Sequence, residues 1–405
     1  MNNSWLRCLI GVFVLLNAPL FSSYIQNNSI TFYSIIAVNS LLALMMIYTY
    51  KQASLGSFEV NPGRSLPLLI QGSVQLSLYY YVIIVSNLIT IDWLSATGMP
   101  AICSLRMPFV FYQIIFAFVC DYLLTIFRGM NYKPQFYVIP LVLSINLFLW
   151  ILNDYAILHL VIIVVGIFIK TFVTRTEADG RSIHIFNPSF IVLTLVSLIV
   201  IALGLNGATP DLRTSELASM FELAPNFNIF LFCVGCITLW LPNSYLVSIG
   251  AYSSVMFLDY LSQWFFGYQL FGGLVRGSVF IAVMLGITDP QTSPRSSCGK
   301  FIFGVAYGLT LTLFNFIFFF FNPIDAYFSK ILAIPVLNIF SRRFDTYFAS
   351  IAYLNFGYYS SRLIAILLFS IIFIVTYAQL TLNNYTLAEA VALKIRLALG
   401  LSPFL

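Results

Sequence analysis

His184 and Asn187 stand just ahead of Pro188, and Thr288, Asp289, Thr292 and Arg295 surround Pro290 and Pro294. A proline lacks the backbone donor and suits the first turn of a helix, so Asn187 and Asp289, each directly before one, can cap a helix end. Helix N-termini and an arginine both attract anions. If the two stretches oppose each other, they form one polar, positively flanked pocket, and a phosphate-bearing ligand is its natural occupant. A plainer reading stands beside this one: the same residues only cap helices and fix the geometry of two loops.

Other groups with chemical potential lie deep in apolar sequence. Asp121, Asp259 and Arg276 are the most deeply placed, and ionisable groups in such positions are costly enough to suggest function. Arg276 is set among Gly272, Gly273 and Gly277, where another backbone or a flat ligand can approach closely; it can meet a ligand phosphate or pair with Asp259. Lys170 falls at a run end, from which its head can reach the interface. Cys233 and Cys236 share a helix face, but a cluster needs about four ligands, so packing is the expected role. His159 and His184 are the only histidines, and no spacing suits a metal. No phosphate-binding glycine loop, nucleophile elbow or paired catalytic carboxylate occurs.

The elements that must position these residues belong to a membrane. Of 405 residues 60% are hydrophobic and 8% charged, against about 25% charged in a soluble domain. Apolar runs lie at 6–24, 30–50, 67–89, 108–127, 135–152, 155–173, 188–205, 227–241, 243–261, 270–287, 301–321, 324–340 and 363–380. They lack the alternation of barrel strands, so the expected fold is all-α: a polytopic integral membrane protein with about 10 to 13 transmembrane helices. With a cytoplasmic N-terminus, alternate loops collect Lys51 and Arg64, Arg128 and Lys133, Lys170, Arg175 and Arg181, Arg295 and Lys300, and Arg342 and Arg343. Arg106 and Arg213 are the main exceptions. Both Pro-rich stretches are then cytoplasmic, and Pro-interrupted segments in two places fit a site between two related halves. The net charge of +5 is spread over short loops, so the partner is the lipid bilayer and not nucleic acid. The longest loops are expected at 51–66, 92–107, 174–187 and 206–226. A surface amphipathic helix is expected at 386–399.

Three stretches carry a family resemblance: DGRSIHIFNP at 179–188, GITDPQTSPRSSCGKFIFGVAYG at 286–308 and KILAIPVLNIF at 330–340. Through them the chain resembles the NqrB/RnfD family of membrane subunits, nearest its stand-alone UnbU-like branch, which is linked to enediyne biosynthesis. The resemblance implies an organisation in which residues 108–340 are the family-like core. Residues 1–107 are N-terminal spans with poor similarity, and 341–405 a C-terminal span and surface helix. It implies about ten helices in two halves, a bacterial inner (cytoplasmic) membrane, possible partner subunits, and flavin-borne electrons handled alongside ion movement. Redox members carry FMN on the Thr of an Asp-Gly-x-Ser-Gly-Ala-Thr motif. Here Gly207, Ala208 and Thr209 fit its end, but Leu203 replaces the Asp and Asn206 the Ser.

Three functions follow in order: a membrane redox or electron-transfer component, with FMN or riboflavin as the cofactor; a transporter or permease; and a scaffold subunit. Whether the chain is itself an enzyme stays open at this point. The candidate cofactor-binding residues are Thr209, His184, Asn187, Thr288, Asp289, Thr292, Arg295 and Arg276.

Overall fold

The computed structural model describes residues 14, 17, 29–49, 62–88, 99–130, 132, 135–149, 156–177, 180, 182–203, 227–240, 242–267, 270–271, 277–321, 328–348 and 360–383. Among them the chain is all-α apart from one small hairpin. The helices are α1 Ser29–Thr49, α2 Pro62–Leu88, α3 Met99–Phe127, α4 Val138–Phe148, α5 Ala156–Phe172, α6 Pro188–Ala202, α7 Phe227–Trp240 and α8 Tyr245–Phe266. They continue as α9 Gly277–Ile281, which runs on as a π-helical turn over Ala282–Gly286, then α10 Ser297–Phe321, α11 Ser329–Phe348 and α12 Ser360–Asn383. Strands β1 Thr174–Thr176 and β2 Ser182–His184 pair antiparallel, with Thr174 opposite His184. Gly180 turns the hairpin at a φ of 79°, a left-handed conformation that favours glycine. This hairpin replaces what the sequence suggested was a plain loop over 174–187.

Among the described residues three helical stretches are long and apolar enough to cross a bilayer: Leu66–Ile84, Met107–Phe127 and Ser297–Phe318. Shorter apolar ones are Ile35–Met45, Val138–Phe148, Ile157–Phe172, Pro188–Ala202, Phe227–Trp240, Gly277–Gly286 and Arg362–Tyr377. What marks the molecule as a membrane protein is how these helices are apolar on the outside as well. On α5 the buried face is Leu160, Ile163 and Ile167, while Ile157, Val161, Val164, Phe168 and Phe172 are exposed on the other. On α12, Phe369 and Phe373 turn inward against Phe232, Tyr252 and Phe280, and Leu363, Leu367, Ile371 and Ile374 face out. Apolar stripes of that extent need lipid tails and not water as their neighbour.

Prolines inside helices revise the sequence-based boundaries. Helix α3 begins at Met99 and runs through Pro108, so residues 99–107 of the expected 92–107 loop are helical. Helix α11 runs through Pro335 and beyond the expected end at 340, to Phe348. A proline deprives the carbonyl four residues earlier of its donor. For Pro335 that carbonyl is Ile331 O, and Thr194 Oγ1 of α6 donates to it at 3.3 Å. In hydrocarbon such a replacement from a neighbouring helix is what makes an interior proline tolerable. The expected surface helix at 386–399 and the 206–226 loop lie outside the described residues.

Candidate functional site

The centre of the molecule is a broken helix too short to span. Residues Gly277–Gly286 are buried throughout, most of them completely. The chain widens into a π-turn, with Ile287 N donating to Ala282 O at 3.0 Å, and stops at the Thr288-Asp289-Pro290 corner. A helix end leaves its last carbonyls without intrahelical donors, and here no water-facing surface is available to them. Five successive carbonyls are instead each met by a side chain. Ser248 Oγ donates to Val283 O at 3.0 Å, Thr288 Oγ1 to Met284 O at 3.0 Å and Gln71 Nε2 to Leu285 O at 3.2 Å. Asn187 Nδ2 donates to Gly286 O at 3.0 Å, and Ser293 Oγ to Ile287 O at 3.1 Å. One turn from Gln71 on α2, Gln75 Nε2 donates to Ser144 Oγ at 2.8 Å, tying the other short buried helix, α4, into the same centre.

The two Pro-rich stretches do meet. His184 Nε2 and Asp289 Oδ2 are 3.2 Å apart, and the Asn187 bond to Gly286 joins the same two stretches. Asn187 caps α6 as its position suggested: its Oδ1 accepts from Ser189 N at 3.2 Å and from Ser189 Oγ at 2.9 Å. Asn338 Oδ1 in turn accepts from Asn187 N at 3.1 Å. Asp289 differs from its expected role. No helix starts there; its side chain closes a turn of its own loop, accepting from Gln291 N at 3.1 Å and from Thr292 Oγ1 at 3.3 Å. Burial works against its charged form, but the His184 bond and these donors outweigh it and hold the carboxyl below its ordinary range.

Arg295 turns away from this network. Its guanidinium binds Glu177, the residue after β1, and its backbone N–H donates to Asp345 Oδ1 at 2.7 Å. Asp345 also accepts from Ser296 N at 2.9 Å, so a carboxylate on α11 steadies the start of α10. Thr209 and Arg276 lie outside the described residues, so the expected pairing of Arg276 with Asp259 does as well. Asp259 itself accepts from Phe271 N at 2.7 Å, ahead of α9. Asp121 accepts from Tyr137 OH at 2.7 Å, just ahead of α4. Lys170 Nζ donates to Gln135 Oε1 at 2.6 Å and sits over the Tyr137 ring, 2.9 Å from its centroid. Among the described residues no three His, Cys, Asp or Glu side chains gather as a metal site would require.

The arrangement makes a closed polar network between two loops and a helix end. Asn187, Thr288, Asp289, Thr292 and Ser293 spend their polar atoms on one another and on backbone, which does not leave them as donors for a flavin phosphate. Sequence reading missed Gln71, Ser248, Asn338, Glu177 and Asp345. A polar side chain within an apolar run was a usable sign for Gln71, Ser248 and Asn338; nothing in the sequence distinguished Glu177 or Asp345 from ordinary surface carboxylates.

The chain matches the NQR2, RnfD, RnfE family over residues 223–354, from just before α7 to just beyond α11. The broken helix and the 288–295 loop fall inside this match; His184 and Asn187 fall outside it. No curated protein and no solved structure matches the chain.

Proposed function

We propose, from the match of residues 223–354 to the NQR2, RnfD, RnfE family, that the chain is a membrane-embedded subunit of a redox complex, working beside other membrane subunits in a bacterial cytoplasmic membrane. The family match over the segment that holds the buried broken helix carries this reading. Flavin, as FMN or riboflavin, is the cofactor class it implies, and the cofactor would supply the electron chemistry. The loop residues described above do not fit a flavin phosphate, and Thr209 and Arg276 lie outside the described residues. An absorption spectrum of the purified full chain tests the reading. Flavin bands that stay with the protein after denaturation mean covalent attachment, and bands lost to the supernatant mean noncovalent binding. A colourless protein overturns the flavin part.

We read the fold as ten to thirteen spans in two related halves. A repeated local arrangement supports it. From the end of α3 at Phe127 to the start of α4 at Val138, and from the end of α8 at Phe266 to the start of α9 at Gly277, the interval is eleven positions in each case. In both places an aspartate near the end of the long helix, Asp121 or Asp259, accepts a hydrogen bond from the connecting segment. The connection then leads into a short buried helix. Paired broken helices with buried charges nearby, including Lys330, whose Nζ donates to Ser278 Oγ of α9 at 3.1 Å, also favour ion movement as an accompanying or alternative activity.

The N-terminus and both Pro-rich loops are placed on the cytoplasmic side from the distribution of basic residues. Cysteines substituted at Ser182 and Gln291, both exposed, are expected to resist an impermeant thiol reagent in intact cells and to react once the membrane is opened. Labelling in intact cells would reverse the orientation.

A further inference from the structure

Three arginines from three separate segments gather around two carboxylates, Glu177 and Asp345. Arg175 is on β1, Arg295 is at the end of the Pro-rich loop and Arg342 is on α11. Arg295 and Arg342 both bind Glu177, the latter at 2.5 Å, and Arg342 Nη1 reaches Asp345 at 3.1 Å. Arg175 Nη2 donates to Ser341 Oγ at a long 3.4 Å. Asp345 is shared between Arg342 and the N–H groups of Arg295 and Ser296, so two carboxylates, one of them divided in this way, stand against three guanidinium groups. Burial, then the charges of Arg342 and Arg295, push the Arg175 guanidinium below its ordinary pKa, as expected where positive charge is in excess. The Nε atoms of Arg175 and Arg342 are both buried with no partner among the described residues. Unspent planar donors and unspent positive charge together suit a phosphate oxyanion, which guanidinium groups bind in bidentate fashion.

The position of the cluster says what carries that phosphate. Along α11 the outward face reads Val336, Ile339 and Phe340, all exposed apolar residues, then Arg343 with its guanidinium over the Phe340 ring, then exposed Tyr347. Helix α5 ends next to β1 with Phe168 and Phe172 exposed. Apolar stripes that give way to Arg and Tyr mark the headgroup level of a bilayer. Acyl chains laid against these exposed stripes would bring a headgroup to the level of the arginines. Basic pockets between spans at this level hold anionic headgroups.

We propose that Arg175, Arg295 and Arg342 form a binding site for the phosphate of an anionic phospholipid, with Glu177 as the internal ligand that the phosphate displaces. Glu177 therefore competes with the lipid, and its removal strengthens binding.

The test uses the purified full chain in neutral detergent, with the unfolding midpoint followed during titration with phosphatidylglycerol, phosphatidylcholine or inorganic phosphate. Phosphatidylglycerol is expected to raise the midpoint saturably, and phosphatidylcholine is not. Protection by inorganic phosphate at similar concentrations would assign the same site to free phosphate instead of lipid, which overturns the lipid source but leaves the phosphate chemistry standing. No protection by any of the three, or equal protection by phosphatidylcholine, overturns the site. Arg175→Gln and Arg342→Gln should lose the shift, and Arg343→Gln should keep it. Glu177→Gln should lower the half-saturating concentration severalfold. If Glu177→Gln weakens the effect, the arginines are only structural partners of Glu177 and the proposal fails. The Glu177→Gln and Arg343→Gln arms stay informative if an arginine variant does not fold.

Discussion

Replacing Gly304 with valine is expected to remove most of the folded protein. Helices α8 and α10 are in backbone contact at this point: a Cβ on Gly304 would fall on the carbonyl oxygen of Val247 and within 2.8 Å of Ala251 N. The reverse contact exists at Gly250 of α8, whose Cβ would fall on Phe301 O and 3.1 Å from Val305 N. Gly308, one turn beyond Gly304, completes a small-xxx-small face against Ser254. Close approach of this kind is how helices associate in lipid, where burial of apolar surface gives no drive. The atoms in the way are backbone and cannot rotate aside, so the helices must separate, at a cost of about 3 kcal/mol or more. The monodisperse fraction of a fluorescently tagged full chain in size-exclusion chromatography reads the outcome. Leu309→Ala, which changes an exposed neighbour on the same helix, should leave that fraction near wild type. A wild-type profile for Gly304→Val would mean that the two helices are not in contact there.

The second large effect is expected from Asn187→Leu, nearly isosteric and without polar atoms. It strands Gly286 O, Ser189 N and Ser189 Oγ in a buried site. Each buried polar group left without a partner costs about 1–3 kcal/mol, so the sum is about 3–5 kcal/mol with partial relaxation. Gln71→Leu removes a single bond to the neighbouring carbonyl, Leu285 O, and should cost less. The midpoints of thermal unfolding in detergent should therefore fall in the order wild type, Gln71→Leu, Asn187→Leu. The reverse order would show that Asn187 is not the main brace of the helix end.

The membrane class was legible from composition, because an apolar run that cannot alternate its faces has few other destinies. Runs at 188–205 and 227–241 became α6 and α7 almost as read. The short run at 270–287 shows where sequence reading stops. Hydropathy gives its apolar length, but only the tertiary neighbours decide that its helical part is ten residues, buried on all sides and widened into a π-turn. The same limit applies to the polar residues. Asn187 announced itself as a cap because the cap bond is local. Its bond to Gly286, and the pairing of His184 with Asp289 across 105 positions, depend on contacts that no local pattern encodes. Arg295 was expected beside the pocket between the two Pro-rich stretches; the carboxylate that engages it, Glu177, sits on a hairpin that the sequence did not reveal.

The broken helix has a consequence for how the protein is made. Ten residues of helix extend about 15 Å, half of the roughly 30 Å hydrocarbon layer, so the helix Gly277–Gly286 does not by itself cross it. Its burial depends on donors that other segments bring to its carbonyls. Chain order suits this: Gln71, Asn187 and Ser248 are all synthesised before the segment they receive, and Thr288 and Ser293 follow within a few residues of its end. Three of the five donors to its carbonyls thus precede it in the chain, and Lys330 and Phe373, which bond to Ser278 and stack on Phe280, follow and close the far side.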